Sequence, residues 1–292
     1  MTNPEAGQKN KKIIMILVGM TILGVIAAGA YLLHNLNRQT TDDAYIEGRI
    51  HSVAPKVSGT VLKVNVEDNQ AVKKGQLLVE IDQVDYVLKV KEAVANLAVR
   101  KATFEQAGRD LARAQSLYDN KVIPKEKYEY ALTNLNLAKA QVAAAGQQLN
   151  ISRQNLKYTL IYSPVDGYVT KKSVEVGNQI KAGQPLMAVI ALNDIWLTAN
   201  YKETQLKDVR SGQRVYIKVD TYPGKVFTGK VDSIMAGTGA AFSLFPPENA
   251  LGNYVKVVQR IPVKIVFDGN SDREHVLRIG MSCTPTIITK NE

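Results

Sequence analysis

Residues 57–81, VSGTVLKVNVEDNQAVKKGQLLVEI, return as residues 165–189, VDGYVTKKSVEVGNQIKAGQPLMAV. The register holds without a gap over Val57/Val165, Gly59/Gly167, Val61/Val169, Val66/Val174, Glu67/Glu175, Val72/Ile180, Lys73/Lys181, Gly75/Gly183, Gln76/Gln184 and Leu78/Leu186. The flanking stretch from residue 41 to 82 alternates apolar and polar residues between Pro, Gly and Asp-Asn turns, which is the period of short strands. A short strand pair cannot cover its own apolar face, so the two copies are expected to pack on each other as halves of one β module. Whatever lies between them must leave the module and return to it.

The intervening stretch has helical periodicity. Val87, Val90, Val94, Leu97, Phe104, Leu111 and Tyr118 fall on 3/4 spacing, interrupted by Lys101, Gly108 and Gln115. Tyr128, Ala131, Leu135, Ala138, Val142, Ala145, Leu149, Ser152 and Leu156 then alternate strictly at 3 and 4, large and small residues taking turns. Small residues at every second contact allow a close helix pair. Pro124 suits the first turn of a helix and disfavours helix in the residue before it, so the reversal is expected at residues 119–124, DNKVIP. Lys89, Lys91, Glu92, Arg100, Glu105, Arg109, Asp110, Lys139 and Arg153 lie off the seam, the mark of a solvated, projecting antiparallel coiled-coil hairpin.

At the N-terminus, Lys9, Lys11 and Lys12 precede an uncharged run over residues 13–33, 21 residues long. That suffices for one membrane-spanning helix. Lysines before the run and Asp42, Asp43 and Glu47 after it put the N-terminus in the cytoplasm by the positive-inside rule. The run exceeds the apolar core of a cleaved signal, although Ala28-Gly29-Ala30 resembles a cleavage site. Gly24 and Ala28 form a small-xxx-small pair suited to packing against another membrane helix.

From Asp194 onward short strands return, punctuated by Gly and Pro, and a small β-barrel is the natural closure. Within this region Phe242, Leu244 and Phe245 stand in a stretch that Pro246 and Pro247 keep from being a central strand; the stretch either caps the barrel or faces a partner.

Several chemistries are excluded. Thirty-seven basic against 27 acidic residues give +10, but the basic residues are scattered without interleaved aromatics, unlike a nucleic-acid surface. His34, His51 and His275 have no metal-ligand spacing, and Cys283 is the only cysteine, so neither a metal site nor a disulfide is expected. No phosphate loop, dinucleotide fingerprint or nucleophile elbow is present. Neither a cofactor nor catalysis is expected. A swinging-arm lipoyl or biotinyl carrier would present its modified lysine at the junction of the two half-motifs, where this chain carries the helical insert instead.

With this layout assembled, the strings TDDAYIEGRIHSVAPKVSG, ANYKETQL, FSLFPPENA with the following GNYVKVVQRIPVKI, and LRIGMSCTPTII carry a resemblance over nearly the whole chain. The chain resembles the membrane fusion proteins, or periplasmic adaptors, of bacterial tripartite efflux pumps and type I secretion systems. It looks closest to the branch serving major-facilitator multidrug exporters. The resemblance implies a multi-domain α+β chain: a transmembrane helix, a lipoyl/biotinyl-like β-sandwich split by the coiled-coil hairpin, and a C-terminal barrel. The corresponding boundaries are a tail at 1–12, the span at 13–33, a connector at 34–47, half-motifs at 48–82 and 158–193, the hairpin at 83–157 and the barrel at 194–292.

The implied protein is an inner-membrane, single-pass adaptor with its bulk in the periplasm. Its implied partners are a major-facilitator-type transporter, an outer-membrane channel of the TolC type and further copies of itself in a ring. A subunit of a type I protein or peptide secretion system is the alternative within the family. In many family members the hairpin tip carries an Arg, a Leu four residues on and a Ser seven beyond that, used for docking to the channel. Arg113 and Leu117 match, while Pro124 stands in the serine position; Asn120 and Val122 complete the expected tip.

Overall fold

The computed structural model describes residues 37–239, 258–269, 271–272 and 276–289, together with Met20. The expected span at 13–33 therefore lies outside the described residues apart from Met20, as do Gly24 and Ala28. Among the described residues, no helix is long and apolar enough to cross a membrane. The chain divides into two compact units, Met1–Arg49 with Leu192–Glu292, and Ile50–Ala191.

The first unit is a sheet that closes on itself. Its strands are β1 (Arg38–Thr40), β2 (Ala44–Val53, up to Arg49), β9 (Met187–Lys202, from Leu192), β10 (Arg214–Val219), β11 (Val226–Ile234), β12 (Arg260–Phe267) and β13 (Cys283–Ile288). Hydrogen bonding runs in the order β1, β13, β10, β11, β12, β9, with β2 added on β9. A bridge between Tyr45 and Ser282, and bonds from Ile46 N to Met281 O at 3.0 Å and Gly280 N to Ile46 O at 2.8 Å, carry β2 back to the start of β13. Strict alternation of burial along β10 and β13 puts every second side chain inside. Tyr201, Phe227, Ile46, Leu197, Ile217, Ile265, Leu277 and Ile287 fill the interior, all below 2% exposure. Tyr201 donates its hydroxyl hydrogen to Pro285 O at 3.2 Å, which satisfies the polar end of a buried ring.

The second unit contains the repeat. Its first copy supplies β3 (Gly59–Val64), β4 (Ala71–Val72) and β5 (Leu77–Ile81), and its second supplies β7 (Gly167–Thr170), β8 (Gln179–Ile180) and the start of β9, with β6 (Leu160–Tyr162) beside β5. The copies exchange strands reciprocally. Gly59 pairs with Ile180 and Thr60 with Gln179, while Val72 pairs with Gly167 and Ala71 with Tyr168. Each pair of one set is the repeat image of a pair in the other, which is a local two-fold relation.

The same symmetry governs single bonds. Gly75 N donates to Ser163 O at 2.9 Å and Gly183 N to Pro55 O at 2.8 Å; Asn65 N donates to Leu78 O and Ser173 N to Leu186 O, both at 2.8 Å. Gly75 (φ 80°) and Gly183 (φ 82°) occupy the left-handed region at matching turns, which is why both copies keep glycine there.

The reciprocal ladders hold only two residue pairs each, so backbone bonding adds about 1 kcal/mol per bond. Burial outweighs them. Val57, Val61, Val66, Val72, Leu78, Val169, Val174, Ile180 and Leu186 are all buried in one core, each contributing roughly 1.5–3 kcal/mol.

From this module rise α1 (Val84–Asp119) and α2 (Lys125–Tyr158), of 36 and 34 residues, about 54 and 51 Å long at 1.5 Å per residue. Asp82 Oδ1 accepts from Val84 N at 3.0 Å and so serves one of the free amides at the start of α1. Lys157 stands in the last turn of α2, where the helix dipole favours a cation.

None of the nine α2 seam residues is exposed, and Ala138, Ala145, Leu149 and Ser152 are buried. On α1, Val87, Val90, Leu97, Phe104, Leu111 and Tyr118 also lie on the sheltered side. Val94 is the correction: it is 45% exposed, and its neighbour Ala93, at 7%, fills the seam. A 3.6-residue turn drifts against a 3/4 pattern, and at that level the small side chain lets the helices approach.

Candidate docking site at the hairpin tip

The end of the hairpin is a Schellman turn. Lys121 N donates to Tyr118 O at 2.8 Å and Val122 N to Leu117 O at 2.8 Å, with Lys121 in the left-handed region at φ 60°. Asn120 is the C-cap of α1; its backbone N donates to Ser116 O at 3.2 Å and its side-chain Nδ2 to the same oxygen at 2.8 Å. Two otherwise free carbonyls and Ser116 O are thereby satisfied. Pro124, extended at φ −73° and ψ 157°, is the N-cap of α2 without a side-chain capping bond, and its carbonyl accepts from Lys127 N at 3.1 Å.

Below the turn, Tyr118 and Tyr128 stack with ring centroids 5.4 Å apart and an interplanar angle of 15°. This pair clamps the helices one turn from the tip, and offset stacking adds about 0.5–1.5 kcal/mol beyond burial. Lys125 pairs with Glu129 at 2.9 Å along α2. The Lys125 ammonium is raised from its ordinary pKa, first by that hydrogen bond and then by the Glu129 charge.

Two large apolar side chains stand exposed at the tip, beside the exposed Lys121 of the turn. Leu117 is 43% and Val122 66% exposed, and the Val122 N to Leu117 O bond holds the two residues in one turn. Arg113 lies one turn below Leu117 and is already engaged by Asp110 on its own helix. Of the five residues expected at the tip, Leu117, Asn120, Val122 and Pro124 are brought together by the turn, with Asn120 and Pro124 shaping it. Arg113 stands on the helix shaft, with its side chain 64% exposed. Phe242, Leu244 and Phe245 lie outside the described residues.

Sequence reading missed the clamp. Tyr118 and Tyr128 read as two seam positions, and their mutual contact has a signal only after the turn between them is placed. Among the described residues, no group of three or more His, Cys, Asp or Glu is arranged to hold a metal.

Models of known families match both units. "RND MFP, barrel-sandwich hybrid domain" covers residues 49–192, and "CusB-like, beta-barrel domain" covers residues 194–241. The probable multidrug resistance protein EmrK of Escherichia coli is 36% identical over 100% of this chain and 87% of its own length. The multidrug export protein EmrA of Escherichia coli is 34% identical over 91% of this chain and 80% of its own. A solved MacA–MexA chimera containing the α-hairpin domain of Pseudomonas aeruginosa MexA has a TM-score of 0.60 at 28% identity, covering 87% of this chain and 83% of that one. The split β module, the helical hairpin and the barrel are thus those of a known architecture, and the chain belongs to the membrane fusion protein family, with EmrA and EmrK among its relatives.

Proposed function

We propose that the chain is the adaptor subunit of a tripartite efflux pump, joining an inner-membrane drug exporter to an outer-membrane channel. The observation that carries this reading is the hairpin. An arm of about 50 Å rooted in a β module and ending in an exposed Leu117/Val122 turn is suited to reaching a partner, and its relatives EmrA and EmrK are named for multidrug export and resistance. The run of 13–33 anchors the chain in the inner membrane with residues 1–12 in the cytoplasm, and the two folded units stand in the periplasm. Major-facilitator-type transporters and TolC-type channels are the partners at the two ends.

The protein does this by position, without a chemical step. Several copies in a ring each offer one modest contact, and linkage makes the second and later contacts intramolecular. A single Leu117/Val122 turn therefore suffices as a unit of docking even though it is small.

The test is susceptibility of a deletion strain to hydrophobic drugs, restored by the intact chain on a plasmid. Hypersensitivity that the plasmid reverses supports the adaptor role. Unchanged resistance to every compound in the panel, with export of a protein or peptide lost, counts against it.

A further inference from the structure

The root of the hairpin is held at more points than chain continuity requires. Where the helices leave and rejoin the module, Ile81 N donates to Thr159 O at 2.9 Å and Asp82 N to Thr60 O at 2.8 Å. These bonds lie along the path of the chain and would by themselves make a pivot. Residues 55–58, PKVS, add contacts from the side. Tyr86 of α1 donates its hydroxyl hydrogen to Ser58 O at 2.6 Å, and the Lys56 ammonium sits 4.6 Å from the centroid of the Tyr158 ring of α2.

The same four residues are tied to the turn of the second repeat copy. Gly183 N donates to Pro55 O at 2.8 Å and Ala182 N to Ser58 Oγ at 3.1 Å. Both tyrosine rings also pack against the module core. Burial, and secondarily the Asp85 charge, push the Tyr86 phenol up from its ordinary pKa, so it remains a donor through the neutral range.

We propose that residues 55–58 form a strap that grips both helices and fixes the angle of the hairpin on its β module, with the turn at 181–184 as the strap's anchor. The leverage makes such a device consequential. Packed helices stand about 9 Å apart, so a slip of about 1 Å across the root moves the end of a 54 Å arm by about 6 Å. A pivot with two aligned bonds permits that slip; a side contact on each helix removes it. The strap acts through Tyr86 and Tyr158 as positioning residues and needs nothing from whatever docks at the tip, so it stands apart from the adaptor reading.

Electron–electron distance measurement between spin labels on the full-length chain tests it, with labels at Lys139→Cys on α2 and Glu175→Cys on the module; Cys283 is buried and escapes labelling. The otherwise unaltered chain is expected to give one narrow distance peak. Lys56→Gln combined with Tyr86→Phe keeps the stem and the ring and is expected to broaden that peak measurably, since residue 139 stands about 28 Å up the arm and moves about 3 Å for the same slip. Ser58→Ala, which removes one of the strap's two bonds to its anchor and leaves that from Gly183 N to Pro55 O, is expected to broaden it by a smaller amount. Helix content should stay unchanged in all of them, and the thermal midpoint should fall by no more than a few degrees. A broad peak before any strap substitution, an unchanged peak in the double variant, or broadening only alongside lost helical signal each overturns the proposal.

Discussion

Val122 N lies 2.8 Å from Leu117 O, so the two exposed apolar residues at the end of the hairpin are closed into one hydrogen-bonded turn. If this turn is the docking surface proposed above, backbone bonds hold it and leave both side chains exposed.

Leu117→Asp and Val122→Asp are therefore expected to abolish drug resistance in the complemented deletion strain while far-ultraviolet circular dichroism keeps its helical signal. Each apolar anchor contributes roughly 1.5–3 kcal/mol when buried in a partner, at least about tenfold in affinity per copy. Resistance retained at the level of the unsubstituted chain would place docking elsewhere.

Lys121 holds a left-handed conformation that costs an ordinary L-residue about 1–2 kcal/mol. Lys121→Gly relieves this and returns part of the gain to unfolded-chain entropy, for a net stabilisation of about 0.5–1 kcal/mol. Native-state hydrogen exchange should report slower exchange at the amides of residues 121 and 122, which make the two Schellman bonds.

The two glycines related by the repeat are expected to respond unequally to alanine. A Cβ at Gly167 would lie 2.3 Å from Ile190 O, a backbone atom of the neighbouring strand, whereas one at Gly59 would meet Ile81 Cγ2 at 2.5 Å. The methyl can turn aside and the carbonyl cannot, so Gly167→Ala should cost about 3 kcal/mol and Gly59→Ala about 1 kcal/mol. Calorimetry of the two variants side by side reads the difference.

Cys283 is 1% exposed, and burial, with a smaller contribution from Asp220, pushes its thiol up to about 12. The folded state thus holds this proton more tightly than the unfolded chain does. Its contribution to stability is complete below about pH 9 and is lost as pH rises from there towards 12, at about 1.4 kcal/mol per pH unit for one proton. Denaturant midpoints measured across that range should fall less steeply in Cys283→Ala, and the native thiol should resist alkylation at pH 8.

The paired halves were legible because their signals are short-range and repeated: matching turns, glycines at the same offsets, apolar residues at the same alternate positions. Helix α2 was legible because large and small residues alternate without a fault from Tyr128 to Leu156. Helix α1 carries valines at both 90 and 94, and the pattern alone gives no reason to prefer Ala93 over Val94 for the seam. The strap was invisible for a different reason. Tyr86 bonds a backbone carbonyl 28 residues away, and a carbonyl is the same in every residue, so nothing in the order of side chains announces the contact. At the tip, Pro124 and the polar turn were readable, whereas a lysine at a left-handed C′ position runs against preference and shows only in the backbone angles.

The insert begins and ends on neighbouring bonds, with Ile81 N joined to Thr159 O. Lengthening α1 and α2 together by seven residues each would add about 10 Å and keep the seam in phase while leaving the module's strands and turns unaltered. Reach is thus a dimension that can be tuned in increments without renegotiating the foundation, and one β scaffold can carry arms of different length.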